Sequence, residues 1–265
     1  MRICPIASGS SGNCIYVGTE NTHLIVDCGL SGKRTTAGVN SLDLSMDDIS
    51  AILITHEHSD HIGGLGVLAR KYGIPIYTTS LTADAILNSS WIGRIDHTLF
   101  NDVSPDTPFM IGDIEINPLR VSHDAVDPVA YRFRSGQKRT AIVTDLGFYN
   151  DYIVEGLEGL DVLMIESNHD VNMLQVGPYP YPLKQRILGD KGHLSNENAG
   201  KLLSRILHDN MKHIILGHLS QENNIPELAY ESVKMEITAS DTPYKGGDFP
   251  LTVARRSEPT ACVSF

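Results

Sequence analysis

The sequence predicts an α/β chain in which two β-sheets pack face to face with helices outside, a four-layer α/β/β/α sandwich. Three observations carry this expectation. Short apolar runs bounded by turn residues are followed by helical stretches, and the same strand-then-helix order is then repeated. No linker or low-complexity tract interrupts the 265 residues, so a single domain over 1–265 is expected. A hydrophobic content of 41% with 20% charged residues suits a globular chain with a sizeable core.

The runs 3–7, 14–18, 24–27 and 51–55 are rich in Ile, Val and Leu and read as strands. Between the first two, Ser8-Gly9-Ser10-Ser11-Gly12-Asn13 is dense turn chemistry. A helix is expected over 63–72, a strand over 74–78 after the stop at Gly73, and a second helix over 81–88. The pattern then turns to hairpins. Runs 109–111 and 114–121 flank Gly112-Asp113, and 129–133 and 140–144 flank Ser135-Gly136-Gln137. Residues 149–157 read as a helix and 162–166 as a buried strand. The stretch 168–192, with Pro178, Pro180 and Pro182, reads as a long irregular loop, and loops of that length are usually functional. A helix over 195–208 with Ser195 as N-cap, a strand over 213–217, a helix over 226–237 and a strand over 251–254 precede a polar tail.

Composition narrows the function classes. The net charge of −11 argues against nucleic-acid binding by bulk electrostatics, which needs clustered Lys and Arg. No apolar run approaches the roughly 18 residues of a membrane span, so no membrane partner is expected. The first residues lack the apolar core of a signal peptide. The four cysteines, Cys4, Cys14, Cys28 and Cys262, form no Cys-x-x-Cys pair. A reduced, cytoplasmic setting is expected, with these thiols packing as small hydrophobes.

The chemistry concentrates in His56-Glu57-His58-Ser59-Asp60-His61, directly after the 51–55 strand. Alternate residues of an extended chain project to one side, so His56 and His58 can share an ion, while Asp60 and His61 can reach a neighbouring one. Four residues cannot fill two metal sites, and further polar groups stand at the ends of other apolar strands: Asp27, His123, Asp145 and His218. Two divalent ions would move the net charge only from −11 to −7, still acidic.

Asp27, His56-x-His58-x-Asp60-His61, His123, Asp145 and His218 match in order, over nearly the whole chain, the motifs of the metallo-β-lactamase-fold hydrolases. That resemblance implies one ion on His56, His58 and His123, a second on Asp60, His61 and His218, and Asp145 bridging them. Asp27 would fix the ligands' geometry without binding metal. A metal-bridging hydroxide would then be the nucleophile, with zinc as the expected metal and manganese or iron also compatible. Histidine at position 58 favours a hydrolase over the flavodiiron oxygen reductases, which carry glutamate there.

The substrate is narrowed by further resemblance. Val162-Leu163-Met164-Ile165-Glu166-Ser167-Asn168 and Gly192-His193-Leu194-Ser195-Asn196 resemble ribonuclease Z segments in which a glutamate orients a histidine that protonates the leaving oxygen. Carried over, Asp60, His193 and Glu166 are the expected catalytic residues. Three stretches resemble the bacterial YycJ/WalJ branch of DNA exonucleases: Ser8–Cys14, 181–196 and 218–224. The resemblance implies a nucleic acid substrate, DNA, with Ser11, Asn13, Lys184, Arg186, Lys191 and Ser195 as candidate contacts and Tyr179 and Tyr181 as stacking groups. Only 72 residues separate Asp145 from His218, too few for the β-CASP cap of larger nucleases. A lactone or thioester hydrolase of the same fold, and a metal-stabilised regulatory protein with little turnover, are the alternatives.

Overall fold

A computed structural model describes all of residues 1–265. The strands form two mixed seven-stranded sheets, so the α/β class read from the sequence is that of the structure. The chain divides into two compact units. One comprises Met1–Arg120, Ala125–Gln137 and Arg255–Phe265; the other comprises Val121–Asp124 and Lys138–Ala254.

In the first unit, β1 (Arg2–Ala7), β2 (Cys14–Gly18) and β3 (His23–Val26) pair antiparallel. The sheet then turns parallel through β4 (Ala51–Leu53), β5 (Ile76–Thr78) and β6 (Phe100–Asp102). The parallel strands need crossovers, which are supplied by α1 (Gly32–Asn40), then α2 (Ser59–Ile62) with α3 (Leu65–Tyr72), then α4 (Ser80–Leu87). Ile6, Tyr16, Ile25, Ile52, Leu65 and Leu68 belong to one buried cluster beneath these helices. The same unit holds the antiparallel run β7 (Phe109–Ile111), β8 (Ile114–Arg120) and β9 (Val129–Ser135).

In the second unit, β10 (Lys138–Val143), β11 (Val162–Glu166), β12 (His213–Gly217) and β13 (Leu251–Val253) are parallel neighbours. The central β11 and β12, buried on both faces, read as near-continuous apolar runs. The crossovers between the four strands carry α5 (Asp151–Leu157), α6 (Val171–Val176), α7 (Tyr181–Leu188), α8 (Asn196–Ile206) and α9 (Pro226–Ala239). The register Val143↔Ile165↔Leu216 brings the carboxyl ends of β10, β11 and β12 level.

Three expectations are corrected. The stretch 168–192 is not an irregular loop, because α6 and α7 lie within it. Its prolines do not forbid helix: Pro180 is the N-cap of α7 and Pro182 sits in its first turn, where no backbone donor is needed. The helix expected over 63–72 is present as α3, and the short α2 that precedes it, before Gly63-Gly64, was not foreseen. The polar tail ends in β14 (Val263–Ser264), which pairs with β1. Cys4 and Cys262 form a disulfide beside that pairing, so only Cys14 and Cys28 pack as free buried thiols. Helix α1, which the sequence reading missed, is opened by Ser31 accepting the Arg34 N–H.

Candidate metal centre

In the first unit the histidine strip leaves the carboxyl end of β4. The Asp27 N–H donates to the Leu53 carbonyl at 2.8 Å, which seats Asp27 beside the strip. Asp27 has φ 60°, a left-handed conformation uncommon for a residue with a side chain. Its fully buried carboxylate accepts the Thr55 N–H at 2.9 Å, the Thr55 hydroxyl at 2.9 Å and His61 Nδ1 at 2.8 Å. With its hydroxyl proton given to Asp27, Thr55 Oγ1 accepts from His56 Nδ1 at 2.9 Å. Both rings are thereby held as Nδ1–H tautomers, which makes Nε2 the acceptor atom of each ring. The His56 ring lies 4.6 Å from His58 and 4.0 Å from His61, centroid to centroid. His61 Nε2 lies 3.6 Å from an Asp60 carboxylate oxygen and accepts from Asn13 Nδ2 at 3.1 Å. Glu57 turns away and accepts the Val126 N–H.

The backbone behind the strip is clamped. Asn13 N–H donates to the Asp60 carbonyl, Gly29 N–H to Asn13, and Cys28 N–H to His61. A Cβ on Gly29 would fall 1.7 Å from the Asp60 carbonyl oxygen. Only glycine allows that approach.

In the second unit, ligand-type side chains gather at the carboxyl ends of the parallel strands, where open α/β sheets bind ligands. Asp145 and His218 both take left-handed φ, 56° and 55°. Glu166, the last residue of β11, is wholly buried. One of its carboxylate oxygens accepts from His193 Nδ1 at 2.9 Å and His218 Nδ1 at 2.7 Å. The other accepts the N–H groups of Leu146 at 2.8 Å and Leu194 at 3.0 Å. An Asp145 carboxylate oxygen lies 3.4 Å from His193 Nδ1, 3.5 Å from His218 Nδ1 and 3.5 Å from His123 Nε2. His123 Nδ1 donates to the Gly192 carbonyl at 3.0 Å, turning its Nε2 toward Asp145.

Burial alone would raise the Glu166 pKa, but the charge on His193 and the bonds from His193 and His218 hold it at about 2. Burial would lower that of His193, and the Glu166 charge and bond, with Asp145 beyond, raise it instead. His123 stays below its ordinary range because burial outweighs the pull of Asp145. Asp145, Glu166, His193 and His218 each offer a donor atom within 4.8 Å of the others. Imidazole nitrogens and carboxylate oxygens without thiolate suit a divalent cation, so the donor set fits a metal.

The residues singled out in the sequence therefore fall into two groups, each ordered by a buried carboxylate. The substrate candidates are more scattered. Ser11 and Lys191 are exposed, and Ser195 caps α8 by accepting the Asn198 N–H. Lys184 Nζ is bound to the Gln175 carbonyl, and Arg186 pairs with Asp124. The Asn13 backbone N–H is taken by Asp60, so it is not offered to a phosphate. Sequence reasoning missed Thr55, whose one signal was a polar residue between an apolar strand and His56. It also missed Asn168 and Asn224. Asn168 Nδ2 donates to the His218 carbonyl, and Asn224 Nδ2 to the Ser167 and Asn168 carbonyls, fixing the left-handed turn at His218.

The chain is 45% identical over 236 residues to the exodeoxyribonuclease WalJ of Streptococcus pneumoniae, covering 89% of this chain and 88% of that one. It is 46% identical over 234 residues to the exodeoxyribonuclease YycJ of Bacillus anthracis, covering 88% and 87%. Among solved structures, the metallo-β-lactamase fold protein YhfI of Bacillus subtilis superposes with a TM-score of 0.69 at 18% identity, over 98% of both chains. That likeness shows the fold, the α/β sandwich expected from the order of strands and helices. The model of the β-lactamase superfamily domain matches residues 22–218, and the chain belongs to that family.

Proposed function

We propose that this protein is a metal-dependent phosphodiesterase that removes nucleotides from a DNA end. The observation that carries the reading is the Glu166–His193 pair, with Nδ1 held at 2.9 Å by a buried carboxylate that also grips His218. With Nδ1 facing Glu166, the Nε2 edge of the imidazole faces away from the carboxylate, and departure of a nucleotide's oxygen requires a proton donor of that kind. A thioesterase has less need of one, because a thiolate departs without a matched acid. The names of the relatives, exodeoxyribonucleases aligned over 87–88% of their length, support a DNA substrate.

The proposed ligands are His56, His58 and His123 for one ion and Asp60, His61 and His218 for a second, with Asp145 shared, in a single catalytic domain over 1–265. Support comes from family membership and from the fixed tautomers of His56 and His61. When bound, two divalent ions, zinc foremost, would acidify a water and neutralise charge on the phosphate. The chain's own residues do the rest. Asp27 and Thr55 orient imidazoles, Glu166 holds His193 and His218, and His193 moves a proton to the departing oxygen from Nε2. Lys184, Arg186, Lys191, Ser11 and the start of α8 at Ser195 are the proposed contacts to the strand, and they would supply a local positive field on a chain of net charge −11.

No helix is long and apolar enough to cross a membrane, and a cytoplasmic setting is proposed. In that reducing compartment the Cys4–Cys262 bond would open, leaving the β1–β14 pairing to hold the chain end. The test is incubation with end-labelled DNA, RNA and a generic phosphodiester, with zinc or manganese, before and after chelation. Metal-dependent shortening of DNA from its ends supports the reading. Turnover confined to lactones or thioesters overturns it.

A further inference from the structure

The turn after β10 carries a large apolar side chain where packing gives it no reason to be. Phe148 follows Asp145 by three residues, and 51% of its surface is exposed. Its backbone is nevertheless tightly fixed. Phe148 bridges to Ser122, and the neighbouring Gly147 N–H donates to the Ser122 carbonyl at 2.8 Å. Ser122 Oγ donates in turn to the Asp190 carbonyl at 2.7 Å. A Cβ on Gly147 would lie 2.5 Å from both the Asp190 carbonyl oxygen and the Gly192 nitrogen, so the turn is wedged against the segment that leads into His193. Three segments, each carrying one of His123, Asp145 and His193, are thus cross-bonded into one platform, and Phe148 stands on it with an uncovered face.

An exposed phenylalanine held this firmly has lost little further freedom to give up on binding, which is what an aromatic contact surface needs. Its ligand must offer a flat π face close to the reacting bond. Resting on the nuclease reading above, we propose that Phe148 stacks on the base of the terminal nucleotide, so that the enzyme recognises an unpaired base at the strand end as well as the phosphodiester. Tyr181, 73% exposed in the first turn of α7, lacks this fixed link to Asp145 and is the poorer platform.

The test compares a short single-stranded DNA with the same strand carrying tetrahydrofuran abasic residues at both ends, for the wild type and for Phe148→Ala, Phe148→Leu and Phe148→Trp. Base stacking on an aromatic side chain is worth roughly five- to a hundredfold in binding. The wild type should favour the base-bearing end by that factor in kcat/KM, with the difference in KM. Phe148→Ala and Phe148→Leu should both erase most of the preference, and Phe148→Trp should keep it. A preference that survives in Phe148→Leu, or is the same in Phe148→Ala as in the wild type, overturns the proposal while cleavage itself upholds the nuclease reading. A wild type that cleaves neither strand removes both. Thermal melts of each variant within a few degrees of the wild type show that the comparison concerns folded enzyme.

Discussion

The two units order their candidate ligands by different means. In the first, four ligand-type residues lie within six positions of the sequence, and Asp27 acts through an intermediary: it binds His61 directly but reaches His56 through the Thr55 hydroxyl. In the second, His193 and His218 come from separate loops, and one carboxylate, Glu166, binds both, together with the N–H groups of Leu146 and Leu194. Ligands adjacent in sequence need only their rings turned. Dispersed ligands must also have their backbones brought together, and a buried charge bonded on four sides can do this because the bonds offset its desolvation. Both devices share one detail, a glycine with no room for a Cβ behind the loop: Gly29 against Asp60 and Gly147 against Asp190 and Gly192.

The largest effect is expected where one group serves most partners. Glu166→Ala leaves two buried imidazoles and two N–H groups without their acceptor, and should cost about 4 kcal/mol in denaturant unfolding. Glu166→Gln keeps the shape and one acceptor and should cost about half as much. If Glu166→Ala unfolds within 1 kcal/mol of the wild type, the carboxylate does not organise these loops. His193→Gln should sharpen the contrast by separating activity from architecture. His193 is partly exposed and bonds only outward from Glu166, so its loss should lower kcat by roughly 10²- to 10⁴-fold on a phosphodiester with little change in Tm.

The same contrast explains what could be read from the sequence. His56-x-His58-x-Asp60-His61 was legible because its ligand-type residues crowd into six positions after an apolar strand, the last two of them in α2. Asp27, Asp145 and His218 were visible as polar residues closing apolar strands, but not the left-handed turns that aim them, since φ of 60°, 56° and 55° leaves no mark in residue type. Glu166 was legible only through family resemblance, because a glutamate at a strand end is ordinary and its four partners come from elsewhere in the chain. The prolines of 178–182 were misread as marks of an irregular loop, although Pro180 and Pro182 sit where helices accept proline. Helix α1 was missed because Gly32, Thr35, Thr36 and Gly38 are poor helix formers, and packing rather than propensity holds it.

Asp27→Asn tests the first unit's relay at smaller amplitude. Asparagine tolerates the left-handed backbone and preserves size, so the variant removes the charge and one acceptor oxygen. Metal affinity should fall roughly 10- to 100-fold, read by competition with a chromophoric chelator, while unfolding free energy changes by about 1–2 kcal/mol. Asp27→Ala should lose more stability than Asp27→Asn, because it adds backbone strain to the lost bonds. Equal metal affinity in Asp27→Asn and the wild type would mean that Thr55 orients the rings unaided.

The smallest effect is expected at the opposite ends of the same parallel strands, where Asp161 does for β10–β12 a weaker version of what Glu166 does at the site. Its carboxylate accepts the Arg139 N–H at 2.8 Å and pairs with Lys212 Nζ at 2.8 Å, stapling the loops before β11 and β12 and the start of β10. Partial burial would raise its pKa, but the bonds from Lys212 and Arg139 outweigh that and lower it. A carboxyl whose pKa is lowered by folding adds stability above its unfolded pKa of about 3.9, and loses it as pH falls through the lower folded value. Asp161→Asn should therefore cost about 1 kcal/mol at pH 7 and leave activity intact, and its stability gap from the wild type should close as pH falls through the lowered folded value. A gap that persists undiminished into acid would mean that packing at position 161, rather than the charge, secures this end of the strands. A gap as large as that of Glu166→Gln would remove the distinction between a buried carboxylate that gathers dispersed ligands and a partly exposed one that only ties neighbouring strands.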